Sequence, residues 1–261
     1  MAERLETAGF STLLLTEFDD RLHVQLDRPE VRNAIDQLMV DELHAVCAYL
    51  EATPKILVLS GTPADPDSGA KGIFASGADI AQLRERRRDD ALAGINSGIF
   101  DRLAKLPMPV IAALDGFALG GGAELAYAAD FRIGTSELRM GNPETGLGIM
   151  AAAGATWRLK ELVGEPLAKE ILLAGKVLKG DEALRVGLIT ELVEAQDLLE
   201  AASALADRIG RQDPLAVRIT KSVFHAPREA HPVIDTLAQG MLFESQAKFD
   251  RMQEFLDRKK K

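Results

Sequence analysis

Two glutamates stand in unusually apolar surroundings. Glu124 is followed by LAYAA at residues 125–129, and Glu144 lies 20 residues further on (144 − 124), before TGLGIM at residues 145–150. A buried carboxylate needs a partner or a function, and we expect burial to raise the pKa of both groups and mutual repulsion to raise the pKa of one of them further. Such a pair can exchange protons with a substrate near neutral pH. An acid–base pair is therefore one interpretation of the pattern, and a solvated surface position is the alternative for each glutamate alone.

Two short segments of small residues can present backbone N–H groups to a ligand. They are residues 74–79 (FASGAD) and residues 118–124 (ALGGGAE). The glycines of the second segment open a predicted helix, whose first N–H groups have no intrahelical acceptor. Because glycine lacks a Cβ, a ligand oxygen can approach closely. The segments together predict two donors for a developing oxyanion, which with two carboxylates can form and protonate an enolate. A tight turn is the alternative for the glycines alone.

The composition excludes several classes of protein. The chain has 261 residues, 47% of them apolar and 27% charged, which is ordinary for a globular protein. Its formal net charge of −9 argues against nucleic acid as the main partner. Cys47 is the only cysteine, so an intramolecular disulfide and a thiolate metal cluster are excluded. The histidines lack metal-ligand spacing, and neither a membrane-spanning run nor a signal-peptide pattern is found, so we expect a cytoplasmic protein without a metal.

Other motifs fail or carry little weight. A Gly-x-Ser-x-Gly elbow and a Walker A loop are absent. Residues 146–151 (GLGIMA) fit the dinucleotide-binding fingerprint, but a buried strand does not precede them, so the match is coincidental. The arginines of residues 84–88 are predicted to form a solvated helix face, with an anchor for a ligand phosphate as the alternative. Tyr127 and Trp157 are predicted to fill the core, with stacking on a cofactor as the alternative.

The elements that must position these residues follow an α/β order. A strand, a glycine-rich turn, a helix and a second strand succeed one another, which is typical of a parallel sheet. Asp36 is a predicted N-cap. The predicted strands lie within residues 11–26, 56–61, 110–114, 131–133 and 188–193, and the predicted helices within residues 36–50, 78–88 and 123–129, with mostly helical structure from residue 165.

Nearly the whole chain, from Ser11 onward, resembles the enoyl-CoA hydratase/isomerase (crotonase) family. Residues 26–34 (LDRPEVRNA) are similar to the CoA-contacting opening of that family, and the two glycine-containing segments resemble its two oxyanion segments. The resemblance implies a crotonase-like α/β spiral of repeated ββα units. Residues 1–200 would form the core with the active site, and residues 201–261 a helical trimerisation region.

The resemblance also implies roles for individual residues. The oxyanion donors would be the backbone N–H groups of Ala78 and Gly121, and the catalytic residues Glu124 and Glu144. The residues implied to contact the substrate or its CoA moiety are Arg32, Ala34, Ser76, Asp79, Ile80 and Gly120. Hydratases usually carry Ile-Pro-Gly-Ala-Gly-Gly after the second glutamate, whereas this chain has MAAAGA at residues 150–155. Because of this difference, the resemblance does not predict the shape of the acyl pocket.

With a glutamate at both position 124 and position 144, the chain resembles the true hydratases of the family. The expected activity is the hydration of a 2-enoyl-CoA, as in fatty acid β-oxidation, with CoA as part of the substrate and no metal or redox cofactor. A Δ3,Δ2-enoyl-CoA isomerase and a non-catalytic acyl-CoA-binding or scaffold protein are the alternatives. The family resemblance implies a homotrimer or a dimer of trimers, for which the C-terminal segment offers an apolar stripe at Leu237, Met241, Leu242, Phe249, Met252 and Phe255.

Overall fold

The chain begins with an antiparallel hairpin in a computed structural model that describes residues 9–64 and 69–258. Strand β1 (Leu13–Glu17) pairs with strand β2 (Arg21–Leu26), as the alternation in the sequence predicts. Helix α1 (Gln37–Ala52) follows, and the carboxylate of Asp36 accepts a hydrogen bond from the amide of Met39 at 2.8 Å. The predicted N-cap at Asp36 is therefore confirmed.

The remaining strands alternate between two sheets. The larger sheet has six strands in the order β1-β2-β3-β5-β7-β10, and the smaller has four in the order β4-β6-β8-β9. These later strands are β3 (Ile56–Ser60), β4 (Ile73–Ala75), β5 (Val110–Leu114), β6 (Phe117–Leu119), β7 (Phe131–Thr135), β8 (Arg139–Gly141), β9 (Val177–Lys179) and β10 (Glu191–Val193). All pairs are parallel except β1 with β2 and β8 with β9. Successive ββα units thus place one strand in each sheet, and the chain advances as a spiral.

Helices connect and follow these units. They are α2 (Ile80–Glu85), α3 (Arg88–Ala93), α4 (Ile95–Ala104), α5 (Gly121–Tyr127), α6 (Ala155–Val163), α7 (Glu165–Ala174), α8 (Gly180–Arg185), α9 (Leu198–Gly210), α10 (Pro214–Phe224), α11 (Val233–Phe243) and α12 (Gln246–Arg258). The described residues form two compact units that divide between Ala206 and Asp207. Within the described ranges, none of the helices has the length and apolar character needed to cross a bilayer.

Several sequence-based predictions about elements were wrong in detail. The single helix predicted for residues 78–88 is two helices, because Arg87 is extended and its amide donates to the carboxylate of Asp90 at 2.7 Å, which starts α3. The strand predicted for residues 188–193 is confined to Glu191–Val193. The loop predicted for residues 62–71 includes residues 65–68, which lie outside the described part of the chain.

The smaller sheet carries no recognisable sequence pattern. Strands β4, β6, β8 and β9 have three residues each, which is too short for an alternating pattern to be visible. The larger sheet was easier to predict because β3 and β5 are continuous apolar runs that are buried along their whole length.

Candidate active site

The carboxyl ends of three parallel strands meet at one edge of the smaller sheet. Strand β4 leads into Ala78, β6 into Gly121 and β8 into Glu144. Because β4 pairs with β6 and β6 with β8, these three residues from separate parts of the chain lie close together. This edge of an α/β sheet is where ligands usually bind.

The two predicted oxyanion donors are neighbours at this edge. A Cβ atom built on Gly121 would lie 3.3 Å from the amide nitrogen of Ala78. Gly121 is the first residue of α5, so its N–H has no intrahelical acceptor. Among the described residues, neither amide donates a hydrogen bond to a backbone or side-chain oxygen. The geometry therefore leaves two adjacent N–H groups available to one ligand oxygen.

Gly120 shapes the turn that opens α5. Its φ of +53° and ψ of −124° suit glycine, and a Cβ there would lie 3.2 Å from Oε1 of Glu144. Its N–H donates to the carbonyl oxygen of Gly141 at 2.9 Å. The resemblance assigned Gly120 to substrate binding; in the structure its amide is engaged within the fold, and its bare Cα lies beside the carboxylate of Glu144.

Glu124 is buried within α5, with 4% of its surface exposed. Its Oε1 accepts hydrogen bonds from the amides of Ala153 at 2.7 Å and Ala155 at 3.1 Å. The pKa of Glu124 is raised from 4.5 to about 7, chiefly by burial and to a lesser extent by the negative charge of Glu144, while the two backbone hydrogen bonds oppose the shift. Both donors belong to residues 150–155, the segment that differs from the usual hydratase sequence. Because they are backbone amides, alanine provides them as well as glycine would.

Glu144 opens a 3₁₀ helix (Glu144–Leu147) and is 8% exposed. Its Oε1 accepts from the side-chain amide of Asn142 at 3.3 Å, and the oxygen of that amide accepts from the hydroxyl of Tyr127 at 3.0 Å. The other oxygen, Oε2, is buried without a hydrogen-bond partner among the described residues. Burial raises the pKa of Glu144. Glu144 therefore lies close enough to Glu124 to influence its pKa, and one of its carboxylate oxygens keeps unused hydrogen-bonding capacity in the described part of the chain.

The residues implied to bind CoA fall on two adjacent backbone segments. The amide of Ser76 donates to the carbonyl of Arg32 at 3.0 Å, and the amide of Asp79 donates to the carbonyl of Ile35 at 2.9 Å. Ala34 therefore lies beside Ser76 and Asp79. The carboxylate of Asp79 caps α2, so this side chain has a structural role. Ile80, at the start of α2, is 60% exposed.

Asn96 in α4 is a polar neighbour that the sequence analysis missed. Its Nδ2 lies 3.5 Å from the position of a Cβ on Gly121. Its Oδ1 accepts from Nη1 of Arg86 at 3.2 Å, which orients the amide nitrogen toward the two donors. Arg86 is half-buried, whereas Arg84, Arg87 and Arg88 are exposed as predicted. A lone asparagine carries no sequence signal for this position.

Two further predictions have different outcomes. Tyr127 is buried as predicted, whereas Trp157 is 45% exposed, so the prediction that it fills the core was wrong. Ala155 and Leu159, on the opposite side of α6 from Trp157, are the buried residues of this helix. Across the described ranges, His, Cys, Asp and Glu side chains form no group of three that could hold a metal ion.

Comparison with known proteins gives consistent results. The family model for Enoyl-CoA hydratase/isomerase matches residues 21–261. A short-chain-enoyl-CoA hydratase of Clostridium acetobutylicum is 35% identical over 245 residues, 91% of each chain. A crotonyl-CoA hydratase of Syntrophomonas wolfei is 34% identical over 256 residues, covering 95% of this chain and 96% of the relative.

Solved structures confirm the predicted fold class. The crystal structure of an enoyl-CoA hydratase from Bacillus anthracis superposes with a TM-score of 0.86 at 26% identity, covering 95% of this chain and 97% of that one. The mixed architecture of parallel sheets and helices described above is therefore the crotonase fold.

Proposed function

Since the chain belongs to the enoyl-CoA hydratase/isomerase family, we propose that it catalyses the reversible addition of water to a 2-enoyl-CoA, giving a 3-hydroxyacyl-CoA. The observation that carries the proposal is the second buried carboxylate. Glu144 faces the same site as Glu124 and keeps its Oε2 unpartnered among the described residues. Moving a proton along an acyl chain requires one such group, whereas adding water requires a base for the water and an acid for C2.

The thioester carbonyl is activated by the two backbone donors. Its oxygen accepts hydrogen bonds from the N–H groups of Ala78 and Gly121. This polarisation makes C3 of the conjugated enoyl group electrophilic. When water adds to C3, negative charge moves onto the thioester oxygen, where preorganised donors stabilise it most strongly.

Glu124 and Glu144 hold the water and transfer the protons. One carboxylate accepts a proton from the attacking water, and the other, in its protonated form, gives a proton to C2 of the enolate. The pKa of Glu124, raised to about 7, allows both protonation states near neutral pH. The two groups titrate as a coupled pair, so the acid and base roles belong to the pair.

The CoA moiety is part of the substrate and lies along the paired segments that contain Arg32, Ala34, Ser76 and Asp79, with Ile80 at their exposed end. The proposal includes no metal or redox cofactor, because the chain itself provides the oxyanion donors, the acid and the base. β-Oxidation of fatty acids is the setting that we propose for this chemistry, in the cytoplasm.

We further propose that the chain assembles as a homotrimer or as a dimer of trimers. Apolar side chains of α11 and α12 are exposed in the single chain, including Leu237 at 66%, Met241 at 67% and Phe255 at 58%. Covering such a surface is favourable by about 25 cal/mol for each Å² of apolar area. A second and third copy of the chain are the proposed cover.

Turnover of a panel of enoyl-CoA thioesters tests the proposed activity. We expect 2-enoyl-CoA substrates to lose the absorbance of the conjugated enoyl thioester, with a maximal rate at one range of chain lengths. Conversion of a 3-enoyl-CoA to a 2-enoyl-CoA without hydration would instead establish the isomerase. Binding of acyl-CoA without turnover of any substrate would establish a binding or scaffold protein.

A further inference from the structure

Arg158 occupies an unfavourable place for a cation. It lies in the first turn of α6, at the positive end of the helix dipole. Its side chain is only 12% exposed, and burial lowers the pKa of the guanidinium group. Both the helix dipole and burial disfavour a positive charge here, so its presence calls for a functional explanation.

The contacts of Arg158 hold its guanidinium group in one place. Nη2 donates to the carboxylate of Asp101 at 3.3 Å, and the group lies 5.0 Å from the ring centroid of Trp157. Nη1 is buried and has no hydrogen-bond acceptor among the described residues. A Cβ atom on Gly154 would collide with Nη1, and Gly154 has a φ of +133°. The guanidinium group therefore packs directly on the bare backbone of Gly154.

That contact lies at the turn that holds Glu124. Gly154 stands between Ala153 and Ala155, whose amides both donate to Oε1 of Glu124. A shift of Gly154 would move both donors together. Arg158 packs against the middle residue of this turn.

The charge of Arg158 also acts on Glu124. The ionisable groups that influence Glu124 are Glu144, which raises its pKa, and Arg158, which lowers it, with the buried phenol of Tyr127 beside them. Asp101 and Glu161 in turn face Arg158. Arg158 is thus the positive charge that opposes the repulsion between the two glutamates.

We propose that Arg158 is a positioning residue for hydration, which braces the turn of residues 153–155 and places a positive charge behind Glu124. The proposal rests on the proposed function, since Glu124 is the group whose position and charge Arg158 sets. It needs no contact between Arg158 and the substrate.

Replacement of Arg158 tests the two parts of this role. We expect Arg158→Met to lower kcat by about 10- to 100-fold, because small displacements of a catalytic group have effects of this size, while KM stays within about twofold. The acidic limb of the kcat/KM profile should move to higher pH, because Glu124 loses a nearby positive charge. Arg158→Lys keeps the positive charge but lacks the planar guanidinium group that packs on Gly154. Its kcat should therefore fall, while the acidic limb of its kcat/KM profile should stay at the wild-type pH.

A matched control and a second measurement make the test decisive. Lys160→Met removes an exposed cation from the same helix, with a side chain 59% exposed, and should leave kcat and the pH profile unchanged. The titration of Glu124 can also be followed without turnover. The change in unfolding free energy caused by Glu124→Gln is measured over a range of pH, once in the wild-type background and once in the Arg158→Met background.

Each outcome decides between the proposals. If the wild type is active and Arg158→Met has the same kcat and the same pH profile, the role of Arg158 is overturned and the hydratase assignment stays intact. A wild type without hydratase activity would refute the proposed function, and the unfolding measurements would then decide whether Arg158 sets the titration of Glu124. If Arg158→Met does not fold, wild-type kcat in Arg158→Lys overturns the positioning role.

Discussion

Replacing Gly121 by valine should abolish most activity while the fold is retained. Of the three consecutive glycines that open α5, Gly120 has a φ of +53°, and a Cβ on Gly122 would collide with the carbonyl oxygen of Ala75. Gly121 has neither constraint. The atoms nearest to its Cβ position are the amide nitrogen of Ala78 at 3.3 Å and Nδ2 of Asn96 at 3.5 Å. The valine side chain would therefore enter the proposed oxyanion hole.

The size of the effect follows from that geometry. Losing one oxyanion donor typically costs about 3–4 kcal/mol of transition-state stabilisation. The branched side chain of valine obstructs Ala78 as well as Gly121, so we expect a loss of at least about 4 kcal/mol, or about a thousandfold in kcat/KM. Gly121→Ala adds one methyl group at the same place and should lose about 10- to 100-fold.

Steady-state kinetics with a 2-enoyl-CoA measure the loss, and circular dichroism with light scattering checks fold and assembly. Gly98→Val is the matched control, because no atom beyond its chain neighbours and the backbone of its own helix lies within 4 Å of a Cβ at that position. Its kinetics should equal those of the wild type. Gly134 in β7 also lies outside the site, but it is unsuitable as a control. A Cβ atom there would lie 2.9 Å from side-chain atoms of Ile189 and Leu138, so a substitution would disturb the core. A folded Gly121→Val protein with kcat/KM within tenfold of wild type would refute the placement of the thioester oxygen.

Three further predictions concern the carboxylates and the assembly. Glu124→Gln and Glu144→Gln should each lower kcat by about 10²–10⁴, and the double variant should lose less than the product of the two, which steady-state kinetics can measure. Near-wild-type hydration by Glu144→Gln would favour a one-glutamate isomerase. Because burial raises the pKa of Glu124 from 4.5 to about 7, the wild type loses stability as the pH rises through this range. Urea unfolding measures the difference in unfolding free energy between Glu124→Gln and the wild type. This difference should shift in favour of Glu124→Gln by up to about 3 kcal/mol between pH 4.5 and pH 8. A difference that does not depend on pH would contradict the shifted pKa. Light scattering at micromolar concentration should give the mass of a trimer or hexamer, and a monomer would refute the proposed assembly.

The segments of the candidate site are easier to recognise in the sequence than the elements that support them. Residues 74–79 and 118–124 were recognisable because small residues and glycines mark places where backbone meets ligand. The short strands β4, β6 and β8 that end at the site were invisible, since three residues cannot display a period of two. The apolar setting of Glu124 and Glu144 correctly predicted their burial.

The supporting side chains could not be predicted because their roles depend on contacts between distant segments. Asn96 acquires its position beside Gly121 only when α4 and α5 pack together. Asn142 connects Tyr127 to Glu144 through hydrogen bonds that no local pattern indicates. Trp157 was misplaced because a large aromatic residue usually lies in a core, whereas the buried stripe of α6 passes through Ala155 and Leu159.

Oxygen-isotope incorporation tests the central claim most directly. The wild-type protein is incubated with a 2-enoyl-CoA in H₂¹⁸O, and the products are analysed by mass spectrometry with fragmentation to locate the label. We predict a 3-hydroxyacyl-CoA that carries one ¹⁸O atom at C3, formed at least about 100-fold more slowly by the Glu124→Gln/Glu144→Gln double variant. An acyl-CoA that is recovered unlabelled, whether unchanged or with its double bond moved, would contradict the account.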